Sequence, residues 1–303
     1  MRGRRSAFAT AALAAVLATA VLAAPAQAGP RGAYWGTFIR ARGGETQLQA
    51  MKALEAKIGR KFHAFRLYRA LDNTNLRAPL IRVMKKRRIP LYLNISSELG
   101  RSCVPWSAVA AGRYNRDLRS IAHQITWYRR RVYFSWNHEP LENCTGGGPA
   151  AYKESYHRVH RLFRNEHVRN VRWVWTPTSH NFRQDLSVIR KYEPRRYDLV
   201  GVDGYNQGAV WRSAKDIFGA AHAFAARRGK NLAICEIGTD EDPSDPMAKA
   251  RWITAAASTF KRWHVRLIVW TNAVTSQGDY WADTSANALA AYRAAGKMGY
   301  YDR

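Results

Sequence analysis

Eight short apolar or aromatic runs begin near Gly32, Phe62, Ile89, Val132, Val171, Leu199, Asn231 and Val265. Between most of them lies a segment of helical spacing or helix-forming composition, such as TQLQAMKALEAKI, AAYKESYHRVHRLFRNEH, SAKDIFGAAHAFAARR and MAKARWITAAASTFKRW. Strands that alternate with helices through one domain-sized chain predict an α/β fold, here a single-domain (β/α)8 TIM barrel. A doubly wound open sheet is the alternative. It would want a Gly-rich phosphate turn after the first strand, and YWGTFIRARGG is a poor one. No Pro- or Ser-rich linker, low-complexity segment or close repeat divides the chain.

The first residues have a basic start, an apolar run from Ala7 to Ala24, and Ala26-Gln27-Ala28 as a small-residue cleavage site. That layout predicts a secretory signal peptide over residues 1–28, cleaved after Ala28, and a secreted barrel domain over residues 29–303. Arg4-Arg5 leaves the general and twin-arginine export routes both open. A retained membrane anchor is the weaker reading, because the run is Ala-rich and no second one exists. In an exported chain, three cysteines suggest one disulfide and one buried thiol. Cys103 and Cys144 lie in the polar loops GRSCVPW and ENCTGGG and are the expected pair, whereas Cys235 lies inside an apolar run.

A barrel places its chemistry at the C-terminal ends of strands. The fourth run, YFSWNHEP, ends on His138 and Glu139, and the seventh, NLAICEIGTDEDP, ends on Glu236. Isolated carboxylates are costly to bury, so each asks for a partner. Two glutamates facing one cavity are what glycoside hydrolysis needs: one protonates the leaving oxygen while the other attacks the anomeric carbon. A spacing of about 5–5.5 Å gives retention of configuration. His138 and Glu139 are adjacent, so a regular strand would turn them to opposite faces. Pro140 predicts a bend or an ending there.

The segments YFSWNHEP, VRWVWTPT, LVGVDGYN, LAICEIG, VRLIVWTN and DYWADTSANALAAYR, in that order, resemble glycoside hydrolase family 26, retaining β-mannanase-like barrel enzymes. The resemblance spans the mature chain and is strongest from Val132 onward. It implies an O-glycosyl hydrolase of endo-β-mannanase type with no cofactor or metal. Glu139 would be the general acid/base and Glu236 the nucleophile. His138 would contact the sugar or the acid, Tyr205 would hydrogen-bond the nucleophile and Trp270 would be the sugar platform, with Asn137 and Asp203 added to the substrate-binding set. The chain departs from the family after the acid, where HEPLENCTGGGPAAY carries Pro140 and a Gly-rich loop. That puts mannan itself in question, with β-glucan or xylan next. A carbohydrate- or cell-wall-binding barrel without turnover is a different class of answer, against which two facing glutamates argue.

Other features take blander readings. His157 and His160 suit a surface helix better than a metal site, and Trp173, Trp175 and Trp263 suit the core. Strand alternation is expected to turn Cys235 away from Glu236, toward the helices, in a packing role. Lys and Arg outnumber Asp and Glu by 49 to 22, and the expected leader holds three arginines and no acid, so cleavage lowers the net charge from +27 to +24. Basic runs at Lys85–Arg88, Arg129–Arg131, Arg195–Arg196, Arg227–Lys230 and Lys261–Arg262 precede strands, on the barrel face opposite the mouth. They cap helix C-termini and aid solubility, or they tether the protein to an anionic wall or acidic glycan. No nucleic-acid motif accompanies them, and a monomer is expected.

Overall fold

A computed structural model describes residues 32–208 and 210–301. The expected leader lies outside them. The barrel strands are β1 (Tyr34–Ile39), β2 (Ala64–Ala70), β3 (Leu91–Ser96), β4 (Val132–Trp136), β5 (Val171–Trp175), β6 (Leu199–Asn206), β7 (Asn231–Thr239) and β8 (Leu267–Asn272). All pair in parallel, and β1 closes the ring against both β2 and β8. Every apolar run read from the sequence supplies one strand. Where the strand starts two residues inside its run, the leading residue is still buried: Phe62, Ile89 and Val265 pack at the floor while the backbone is turning.

Local chemistry sets the helix starts. Thr46 with Gln49 and Ser213 with Asp216 form reciprocal capping boxes before the helices Gln47–Ile58 and Ala214–Arg227. Gly59, at φ 66°, ends the first of these in the left-handed region that glycine reaches without strain. Trp173, Trp175 and Trp263 all belong to the packing between strands and helices. His157 accepts from the Arg195 N–H at 3.1 Å, and the His160 ring lies 4.8 Å from that of Trp173.

The barrel interior is filled by side chains that include Tyr92, Tyr133, Val174, Leu267 and Val269, and Cys235 is among them. The expectation that Cys235 faces the helices is therefore corrected. Opposite β7, Val202 pairs with Ile234 but Asp203 pairs with Glu236, so the ladder skips Cys235. This bulge inserts one residue and resets the alternation, letting Cys235 and Glu236 both turn inward. Burial pushes the thiol up to about 12, so it stays protonated and packs.

The basic runs sit where helices return to strand N-termini, opposite the mouth. Part of this charge is engaged: Arg87 pairs with Glu55 at 2.9 Å, Arg228 with Glu193 at 2.7 Å, and the Lys85 ammonium lies 3.8 Å from the Trp127 ring.

Candidate active site

Strand β4 ends at Trp136, and the next residues leave regular geometry. Asn137 and Glu139 take φ values of 42° and 50° on either side of His138. Two left-handed residues in three redirect the chain, so His138 and Glu139 reach the same cleft although they are neighbours. The Glu139 N–H donates to the Thr176 carbonyl at 2.6 Å, and its own carbonyl accepts from the N–H groups of Glu142 and Asn143. Such conformations cost a non-glycine residue about 1–3 kcal/mol each and persist where the surroundings over-determine them. Here the tight turn carries Asn143 back over Glu139, whose Oε2 accepts from the Asn143 amide.

The cleft, of about 500 Å³, opens at the C-terminal ends of the strands and is lined by His138, Glu139, Tyr205, Glu236, Tyr68 and Asn143 among others. Glu236 stands at its base, 8 % exposed. Its Oε1 accepts from the Tyr68 hydroxyl at 2.6 Å and from Arg66 Nη2 at 2.8 Å, and its Oε2 accepts from the Tyr205 hydroxyl. Tyr205 is held in turn by Thr271 Oγ1 at 3.0 Å and by stacking on Tyr280 at 4.5 Å. His138 Nε2 lies 3.7 Å from Glu236 and 3.8 Å from Glu139. Oxygen atoms of the two glutamates lie within 4.8 Å of each other.

The two carboxyl groups are driven apart electrostatically. Burial pushes Glu139 well above the ordinary carboxylate range, and negative charge at Asp203 and Glu236 adds to this. Burial acts upward on Glu236 too, but Arg66 and the two phenols outweigh it and hold this carboxyl below its ordinary value. His138 itself is lowered to about 3 by burial and by Arg66, so it is neutral at working pH and leaves that task to Arg66 and the phenols. Both phenols are raised well above 10 and remain donors.

Three expected substrate contacts take other positions. Trp270 is 1 % exposed and faces the helices, because Leu267, Val269 and Thr271 are the inward residues of β8. Its indole donates to the Tyr280 carbonyl at 2.8 Å and packs edge-on against Tyr292. Asp203, 2 % exposed, lies beneath the cleft and pairs with Arg66 at 3.1 Å. Burial pushes its carboxyl upward, with Arg66 opposing. Asn137, 1 % exposed, accepts from the Ser97 N–H at 2.6 Å and donates to Ser97 Oγ and the Cys144 carbonyl, which fixes the loop base. That loop is tied by the Cys103–Cys144 disulfide, with Cα atoms 5.2 Å apart. Gly146 sits where a Cβ would come within 2.5 Å of the Val104 carbonyl, so the Gly-rich stretch lets the loop lie against the segment that carries Cys103.

Sequence reasoning missed Arg66, Tyr68 and Asn143. The first two had a signal: in HAFRLYRA the period of two sets Arg66 and Tyr68 on one face and Phe65 and Leu67 on the other. Arg66 is fully buried with its guanidinium 4.4 Å from the Tyr68 ring and 4.6 Å from that of Tyr92. Donor atoms of His138, Glu139, Asp203 and Glu236 are close enough together to suit a metal ion. Arg66, bonded to both Asp203 and Glu236, places a positive charge beside two of these carboxylates.

No protein-family model and no curated protein sequence matches the chain. Solved structures do. The catalytic domain of the Bacillus sp. JAMB-750 GH26 endo-β-1,4-mannanase superposes with a TM-score of 0.66 at 14 % identity, covering 89 % of this chain and 87 % of that one. A Cellulomonas fimi endo-β-1,4-mannanase gives 0.65 at 18 %, covering 90 % and 74 %. A β-mannanase from a symbiotic protist of the termite Reticulitermes speratus, complexed with a gluco-manno-oligosaccharide, gives 0.62 at 15 %, covering 89 % and 88 %. The chain thus has the (β/α)8 fold of the glycoside hydrolase family 26 mannanases.

Proposed function

We propose that this chain is an exported, retaining β-glycoside hydrolase that cleaves a polysaccharide of the β-mannan class by double displacement. The observation that carries the reading is a pair of carboxyl groups with oxygens within 4.8 Å of each other, one pushed toward its neutral form and the other held ionised. The Glu236 carboxylate attacks the anomeric carbon as the glycosidic C–O bond breaks, and Glu139 gives its proton to the departing oxygen. Once Glu236 is esterified, one of the negative charges that raised Glu139 is gone. Glu139 then takes a proton from water as that water attacks the anomeric carbon, and Glu236 leaves as a carboxylate. Arg66, Tyr68 and Tyr205 are placed to receive that returning charge. The likeness to mannanases at 14–18 % identity supports the substrate class only through the fold.

The test is a polysaccharide panel, together with an aryl glycoside whose leaving group needs no acid, assayed with wild type, Glu139→Gln and Glu236→Gln. Glu236→Gln should be inactive on both. Glu139→Gln should lose about 10²- to 10⁴-fold on polymer yet still form the glycosyl-enzyme from the aryl glycoside. Failure of the wild type to hydrolyse any member of the panel, or release of the inverted anomer, would sink the proposal.

A further inference from the structure

The cleft walls carry two cations that the glycosidase chemistry does not use. Arg40 follows β1 directly and Arg69 lies near the end of β2, and both line the cleft that holds Glu139 and Glu236. Other arginines at the mouth are matched: Arg42 to Asp283 at 2.9 Å, and Arg66 to Asp203 and Glu236. Arg40 and Arg69 make no ion pair among the described residues. Arg69 donates only to the Tyr68 carbonyl, at 2.7 Å, and is half-buried. Burial lowers its pKa from the ordinary arginine value. A second hollow, of about 370 Å³, shares Tyr68 and Arg69 with the cleft and continues past β2 between Asn73 and Asn75. The positive charge is local, since a separate hollow beside the ends of β6 and β7 is lined by Asp240, Glu241, Asp242 and Trp211. Among the described residues no tryptophan lines the cleft.

With Glu139 neutral and Glu236 balanced by Arg66, the cleft has net positive charge. A half-buried guanidinium whose one partner is a neutral carbonyl has lost solvation that only an anion restores fully, and its planar fork fits a carboxylate in bidentate fashion. Neutral pyranoses are instead gripped by broad aromatic faces, and the one tryptophan expected here points away. We propose that the substrate is an acidic β-glycan, a uronate-bearing polymer whose carboxylate is held by Arg69 and Arg40 beside the scissile bond. The proposal rests on the glycosidase reading for its cleavage point and not for its charge preference.

The two are separated by measuring binding and turnover independently. Glu139→Gln protein is titrated with a panel of β-linked polymers bearing glucuronate or mannuronate, and with copies whose carboxyl groups have been reduced to alcohols. At least one acidic polymer should bind about tenfold more tightly than its reduced copy, the worth of a charge-assisted hydrogen bond. Adding Arg69→Gln or Arg40→Gln should bring that ratio close to unity. Arg40 is exposed, so a folding defect is not at issue there. If no polymer binds better in its acidic form, or if the preference survives both substitutions, the proposal is overturned. Wild-type turnover of the same panel reads the other question: acid-selective binding without hydrolysis refutes the glycosidase and leaves the acidic ligand standing, and hydrolysis without acid preference does the reverse.

Discussion

The Tyr68→Phe substitution isolates one hydrogen bond at Glu236, the proposed nucleophile. Phenylalanine keeps the ring contacts with Phe38 at 4.8 Å and His138 at 5.4 Å and deletes only the hydroxyl that donates to Glu236 Oε1 at 2.6 Å. A hydrogen bond to a charged group is worth about 1.5–3 kcal/mol. Arg66 Nη2 stays on the same oxygen at 2.8 Å and makes up part of the loss, so about 1.4 kcal/mol should remain, which is about one pKa unit. The sign follows from the direction of the native shift. Glu236 is held below its ordinary value, so removing a donor raises its pKa and moves the acidic limb of kcat/KM to higher pH by about one unit. In the proposed double displacement the same bond stabilises the charge that returns to Glu236 when the glycosyl-enzyme breaks down, so hydrolysis of the intermediate should slow by about tenfold. Formation of the intermediate, in which Glu236 loses charge, should slow less. Burst kinetics with an activated aryl glycoside separate the two steps, and a pH profile gives the limb. An acidic limb shifted by less than about 0.3 unit, with both steps slowed alike, would refute the assignment of Tyr68 to the nucleophile.

Asp203→Asn should destabilise the fold by about 1–3 kcal/mol, because it takes one of two carboxylates from a fully buried arginine that keeps Glu236 at 2.8 Å; urea unfolding measures this, and a loss below about 0.5 kcal/mol would show that the pair carries no net charge interaction. Replacing Cys103 and Cys144 by serine opens a link between residues 41 apart and should cost about 4 kcal/mol if constraint of the unfolded chain dominates. The change should appear in Tm under oxidising conditions and vanish in reductant, and equal Tm values in both would count against the link. If the basic floor tethers the protein to an anionic glycan, glutamate at the exposed positions Lys86, Arg88, Arg129 and Arg131 should abolish salt-sensitive retention on an acidic polysaccharide column. Unchanged retention would assign these charges to solubility alone.

The eight-fold rhythm of runs and helices determined the barrel, since a strand followed by a helix must return in parallel and eight such units close on themselves. The same rhythm put Glu139 and Glu236 at strand ends, where βα loops begin. The sequence could not show which way individual side chains turn when a strand departs from strict alternation. One bulged residue at Cys235 brings Glu236 inward, and two left-handed residues around His138 bring that histidine and Glu139 into one cleft. Strict alternation at β8 sends Trp270 outward, where a motif match had placed a sugar platform. Partnership across the barrel was equally invisible. Arg66 meets Asp203 and Glu236 at sequence separations above a hundred residues, and only closure of the ring makes the first of these a buried ion pair and the second the support of the proposed nucleophile. Composition and periodicity thus decide which residues reach the mouth. Tertiary register decides which of them face one another, because a shift of one residue reverses every side chain that follows it.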